Sequence, residues 1–89
     1  MKQTLTQEEY KQIKKLVECA LTSPNKQEAQ NYISKLQSFD YSLHGNAGNI
    51  FGQMLSYVKN ASGMVSDKEE KAYSARMELH NLKMYVVEK

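Results

Sequence analysis

The chain has 89 residues, a mass of 10.2 kDa and a formal net charge of +2. Folding a chain of this size buries about 64% of its surface, which is enough for one small core and too little for a deep substrate cavity. The 12 basic and 10 acidic residues are mixed along the sequence, so it contains neither a polycationic arm nor an acidic tail. The single cysteine, Cys19, excludes an intramolecular disulfide and a multi-cysteine zinc site.

The sequence carries no sign of membrane insertion or secretion. No apolar run approaches the roughly 18 residues that a transmembrane helix needs. The first ten residues, MKQTLTQEEY, lack the apolar segment of a signal peptide. We therefore expect a cytoplasmic protein that does not contact the membrane.

The first predicted helix covers residues 6–21. Thr6 and Glu9 have the spacing of a capping box, in which each side chain accepts a hydrogen bond from the other residue's amide. Pro24 disfavours helical geometry at the residue before it and so places the end of this helix. The predicted apolar face consists of Ile13, Leu16, Val17, Ala20 and Leu21.

The second predicted helix covers residues 25–38, with Asn25 as its N-cap. Its predicted apolar face consists of Ala29, Tyr32, Ile33 and Leu36. Residues 39–46 are predicted to form a connector that Phe39, Tyr41 and Leu43 hold against the core, and a short helical turn within it is the alternative.

The third and fourth helices are predicted over residues 46–61 and 66–86. Gly63 is expected to close the third helix, and Ser66 with Glu69 repeats the capping-box spacing at the start of the fourth. The third helix has a broad apolar stripe of Ala47, Ile50, Phe51, Met54, Leu55, Val58 and Ala61. The sequence therefore predicts an all-α protein, a small antiparallel four-helix bundle forming a single domain. An irregular arrangement of the same helices is the alternative.

The fourth helix has two apolar sides. Ala72, Ala75, Leu79, Leu82 and Val86 form one stripe. At about 100° per residue, a second group lies roughly 140° around the helix. That group consists of Tyr73, Met77, Met84 and Val87. Since one narrow seam cannot bury both sides, we expect either several neighbours within the fold or another chain against the second side.

The third helix is almost without charge. Lys59 is the only charged residue between Tyr41 and Ser66. The face opposite the apolar stripe consists of Asn49, Gln53, Ser56 and Asn60, with Gly48 and Gly52 beside it. Interface centres are depleted in charge, and glycine permits the close approach of another backbone. This face is therefore a candidate contact surface, and a solvated face that lacks charge is the alternative.

Patterns typical of catalysis, metal binding or cofactor binding are missing from the sequence. Cys19, His44 and His80 fall on three different elements. Asp40, Ser42 and His44 share one predicted loop, whereas catalytic triads draw on rigid, separated elements. We therefore expect a protein that is not an enzyme and that binds no metal or cofactor.

A basic face on the first helix offers an alternative partner. Lys11, Lys14 and Lys15 could contact nucleic acid, but Glu8 and Glu18 interrupt them and the net charge is small. Nucleic-acid binding is thus the weaker hypothesis.

The leading hypothesis is a non-enzymatic module that binds another protein as a regulator or inhibitor. The predicted contact residues are Asn49, Gly52, Gln53, Ser56 and Asn60 of the third helix and Tyr73, Met77 and Met84 of the fourth. An obligate homodimer that pairs these faces around a two-fold axis is the alternative. The case rests on the uncharged middle of the chain being hidden from water. It would collapse if Asn49, Gln53, Tyr73 and Met77 all lay open to solvent in a compact monomer.

Overall fold

A computed structural model describes residues 3–63 and 68–87 of the chain. In chain order the elements are strand β1 (Leu5–Thr6), helices α1 (Gln7–Leu21), α2 (Lys26–Ser42), α3 (Gly45–Gly63) and α4 (Lys68–Leu82), a 3₁₀ turn (Lys83–Tyr85) and strand β2 (Val86–Val87). The four helices pack against each other, which confirms the predicted all-α four-helix bundle. The antiparallel orientation stays a prediction.

Side-chain caps begin the first two helices, as the sequence predicts. The Glu9 amide donates to Thr6 Oγ1 at 3.1 Å, and the Thr6 amide donates to Glu9 Oε1 at 3.0 Å. Asn25 Oδ1 accepts a hydrogen bond of 2.9 Å from the Glu28 amide. These bonds satisfy amides that have no partner within the helix. The capping box predicted at Ser66 lies outside the described residues.

The predicted connector at residues 39–46 is wrong over most of its length, because α2 continues to Ser42. No glycine or proline interrupts residues 39–42, so the helix continues through them. The chain leaves the helix at the extended Leu43 and enters α3 at Gly45, whose φ of +70° favours glycine. Leu43 is buried and Phe39 is half-buried, as expected, but Tyr41 is 79% exposed. Tyr41 lies about 140° around α2 from the buried Leu36, so the extended helix directs it to solvent.

The core contains side chains from all four helices, and α3 contributes the largest share. Its buried residues are Ala47, Phe51, Met54, Leu55, Val58 and Ala61, and Ile50 is half-buried beside them. No polar or charged residue is buried in the described part of the chain. The predicted apolar stripe of the third helix is therefore confirmed as core.

The two ends of the described chain meet in a short parallel pair of strands. Leu5 pairs with Val86, and Thr6 pairs with Val87. Helix α4 therefore ends at Leu82 and not at residue 86, and Val86 packs against the core from a strand. Two-residue strands have no periodicity for a sequence pattern to reveal, so this pairing was not predicted.

Helix α4 is joined to α1 by hydrogen bonds at two points. Arg76 Nε and Nη2 donate to the two carboxylate oxygens of Glu18 at 2.8 and 3.0 Å. The Tyr10 hydroxyl donates to the carbonyl oxygen of Leu79 at 3.1 Å. Together these contacts fix the rotation of α4 about its own axis. In the described ranges, no helix has the length and apolar character needed to cross a bilayer.

Candidate protein-binding surface

Helix α4 and the turn after it expose three large apolar side chains. Tyr73 is 65% exposed, Met77 is 45% exposed and Met84 is 81% exposed. The opposite side of the helix is buried and consists of Ala72, Ala75, Leu79 and Leu82. Helix α4 therefore has a core side and a second apolar side that faces solvent. We call Tyr73, Met77 and Met84 the α4 stripe.

Two carboxylates flank the start of the α4 stripe. Glu69 and Glu70 are exposed, and neither forms an ion pair with another described residue. At about 100° per residue, they lie on opposite sides of Tyr73, roughly 40° and 60° around the helix. The nearby Arg76 is already bonded to Glu18. The exposed first half of α4 therefore presents Tyr73 between two carboxylates that form no ion pair with the described residues, and Lys68 lines the same groove as Glu69 and Tyr73.

The Arg76–Glu18 pair is bidentate and partly exposed, with 47% and 44% of the two side chains accessible. Hydrogen bonding from Arg76 lowers the pKa of Glu18, with further contributions from the charges of Arg76 and Lys14 against a partial loss of hydration. The same bond raises the pKa of Arg76. Burial raises the pKa of the Tyr10 hydroxyl. These groups hold α4 in place and are not free to bind a ligand without breaking that contact.

The uncharged face of α3 is open to solvent. Asn49, Gln53, Ser56 and Asn60 are all exposed, and so are Tyr73 and Met77. Nothing in the described part of the chain covers them. This exposure removes the case that rested on the burial of these residues, and it leaves the α3 face without support as a contact surface. A case for recognition can then rest only on the large apolar side chains that α4 exposes on the side away from its core.

The two glycines beside this face have different surroundings. A Cβ atom on Gly48 would lie 2.7 Å from the backbone oxygen of Leu43, so the chain's own backbone explains this glycine. A Cβ atom on Gly52 would meet only Asp40 Oδ1 at 3.8 Å, an ordinary contact distance. Close approach within the fold therefore accounts for Gly48 but not for Gly52.

The predicted faces of the third and fourth helices do not form one continuous surface. Lys71 marks the side of α4 that faces α3, because its Nζ lies 5.7 Å from the ring centre of Tyr57. Tyr73 lies about 160° around α4 from Lys71. It instead lines a shallow groove toward α1 with Leu21 and Arg76. Of the predicted contact residues, the structure therefore groups Tyr73, Met77 and Met84 on α4 and its following turn, separate from the α3 face.

The three lysines of the predicted nucleic-acid face are exposed but line three different grooves. Lys11 lies beside Lys83 and Val86, Lys14 beside Glu18 and Arg76, and Lys15 beside Tyr32 and Lys35. The carboxylate of Glu18 compensates part of the charge near Lys14. Since Lys14 and Lys15 lie three and four residues after Lys11, the three lysines share one face of α1, and nucleic-acid binding through that face stays a prediction.

A groove between α1 and α2 was not predicted from the sequence. Its volume is about 470 Å³, and its apolar lining consists of the half-buried residues Leu16, Cys19, Tyr32 and Phe39. Lys15 on α1 and Lys35 on α2 stand at its edges, both exposed and without an ion-pair partner among the described residues. Leu16 and Tyr32 were assigned to the core faces of their helices. The sequence signal for the groove is that Leu16 and Tyr32 each lie at the edge of the apolar stripe of their own helix.

The residues considered for chemistry are not assembled into a site. Across the part of the chain that the structure describes, no three histidine, cysteine or acidic side chains form a group able to hold a metal ion. Ser42 Oγ donates to the carbonyl oxygen of Phe39 at 2.9 Å, and Asp40 lies beside α3 near Gly52. The predicted loop of Asp40, Ser42 and His44 is therefore mostly helix.

Comparison with known proteins gives no further guide to function. No protein-family model, no curated protein and no solved structure matches this chain.

Proposed function

We propose that this protein is a small, non-enzymatic, cytoplasmic module that binds another protein through the α4 stripe and acts as its regulator or inhibitor. The observation that carries the proposal is the exposure of Tyr73 and Met77 on the side of α4 opposite its core residues, together with the exposure of Met84 in the turn that follows. Large exposed apolar groups on one face are a mark of interaction surfaces.

The chemistry of the stripe favours recognition of protein. Tyrosine and methionine are enriched at protein interfaces, where methionine adapts its shape and tyrosine supplies rigid contact area. The core of the bundle does not need these side chains, since the buried face of α4 is complete without them. The exposed parts of Tyr73, Met77 and Met84 therefore add nothing to the core of the monomer.

The proposal is tested by placing a charge in the middle of the stripe. Met77→Asp adds a carboxylate at a half-exposed position, so the helix content and the free energy of unfolding should change little. The matched control is Ser34→Asp, which adds the same charge at an exposed position on α2. Each variant is immobilised and used to capture proteins from an extract of the source cells, with quantitative mass spectrometry as the readout.

We expect wild type and Ser34→Asp to capture the same partner and Met77→Asp to lose it by at least about tenfold, as for a residue at an interface centre. Equal capture by all three proteins would contradict the proposal. If Met77→Asp fails to fold, Met77 belongs to the core and the stripe is not an interface.

A further inference from the structure

The α1–α2 groove and the first half of the α4 stripe both expose apolar groups, and charged groups of opposite sign lie beside them. The groove has an apolar lining between two lysines, one on each helix. The first half of the stripe has an apolar ridge between two glutamates, one on each side of Tyr73. All four of these charged groups are exposed and free of ion pairs with the described residues.

We propose that the α4 stripe of one molecule docks into the α1–α2 groove of a second copy of the same chain. In this contact Tyr73 and Met77 cover the apolar lining, and Glu69 and Glu70 approach Lys15 and Lys35. This inference rests on the proposed function, because it names a partner for the same stripe.

The open form of the groove favours a helix over a small molecule. Sites for small molecules bury most of their ligand in a concave pocket. A groove between two helices matches the recognition mode in which an amphipathic helix lies along it with its apolar face inward. Among the described residues that line the groove, none is acidic.

The contact joins two different faces, so each chain carries one stripe and one groove. Its smallest closed form is a reciprocal dimer, in which each α4 occupies the other molecule's groove. One helix in one groove covers less area than a stable interface needs. We therefore expect weak association, with an apparent dissociation constant of about 10 to 1,000 μM.

Two charge-reversed variants of the full-length protein test this contact. The groove variant carries Lys15→Glu and Lys35→Glu, and the stripe variant carries Glu69→Lys and Glu70→Lys. All four side chains are exposed and unpaired, so the groove variant should fold like wild type. Glu69 and Glu70 lie in the first turn of α4, where negative charge stabilises a helix, so the stripe variant should be less stable. Circular dichroism and thermal unfolding check that both variants are folded under the conditions of the assay. Association is measured by sedimentation velocity and light scattering up to about 1 mM protein, at low salt where charge pairs act most strongly.

We expect wild type to associate, and each variant alone to associate at least about tenfold more weakly, because like charges then face each other. An equimolar mixture of the two variants should recover wild-type association, since opposite charges again meet at both contacts. The self-pairing of two α4 stripes predicts instead that the groove variant associates like wild type, and this result would overturn the proposed contact. A wild type that remains a 10.2 kDa monomer at every concentration would also overturn it.

Failure of this inference can be separated from failure of the proposed function. If wild type stays monomeric but captures a different protein in a manner sensitive to Met77→Asp, the self-docking is wrong and the stripe remains an interface. If Met77→Asp changes neither association nor capture, both proposals fail.

Discussion

The glycines of α3 provide a sharp test of the packing, because the same substitution has opposite expected effects at two positions one turn apart. Alanine is more favourable than glycine within a helix by about 1 kcal/mol. At Gly52 the new methyl group would have only Asp40 Oδ1 nearby, at 3.8 Å. Gly52→Ala should therefore stabilise the protein by about 1 kcal/mol, which raises Tm by about 4 to 8 °C for a domain of this size.

At Gly48 the methyl group would lie 2.7 Å from the carbonyl oxygen and 3.0 Å from the carbonyl carbon of Leu43. These are backbone atoms, so the clash cannot be relieved by turning a side chain. Overpacking of this kind typically costs 1 to 3 kcal/mol, which exceeds the gain in helix propensity. Gly48→Ala should therefore lower the free energy of unfolding by about 1 kcal/mol.

The assay is urea denaturation followed by circular dichroism at 222 nm, with thermal unfolding as a second measurement. The two variants serve as each other's control, because they share the chemical change and the helix. Equal stabilisation by both substitutions would refute the close contact between Gly48 and Leu43. Destabilisation by Gly52→Ala would show that the space beside Gly52 is filled.

Two further predictions concern the contacts between α1 and α4. Tyr10→Phe removes the hydroxyl that donates to the Leu79 carbonyl, and should lower the free energy of unfolding by about 0.5 to 1.5 kcal/mol in urea denaturation. Glu18→Gln removes the ion pair with Arg76, which is worth at most about 1 kcal/mol at this exposure. Because the pKa of Glu18 is lowered in the folded state, wild type should hold this advantage at neutral pH and lose it as the pH falls through that pKa. Thermal unfolding of both proteins from pH 7 to about 3 measures the effect, and a difference in Tm that grows toward acid pH would contradict it.

Local signals in the sequence were sufficient to predict most of the fold. The Thr6 and Asn25 caps, and the apolar stripe around Phe51, depend on residues within a few positions of each other, and all three are confirmed. The end of α2 was predicted too early because the aromatic residues after Ser38 were interpreted as a connector. The β1–β2 pair joins residues about 80 positions apart, beyond the reach of any local pattern.

The candidate site was only partly predictable for a related reason. The position of Tyr73 and Met77 opposite the core side of α4 follows from helix periodicity. Their separation from the α3 face depends on the rotation of α4, which Arg76 and Tyr10 set through contacts with other elements. The α1–α2 groove likewise exists only after two helices have packed, so neither helix alone reveals it.

The most direct test of an interface at the α4 stripe is site-specific photocrosslinking in the source cells. A photoreactive benzoylphenylalanine replaces Tyr73 in one version of the protein and Gln30 in another, since both positions are exposed and position 30 lies away from the α1–α2 groove. After irradiation, crosslinked proteins are identified by mass spectrometry. We predict a specific adduct from position 73, with another protein or with the α1–α2 groove of a second copy, and none of these adducts from position 30. If position 73 gives no crosslink, or if both positions give the same adducts, the α4 stripe is not a protein-binding surface.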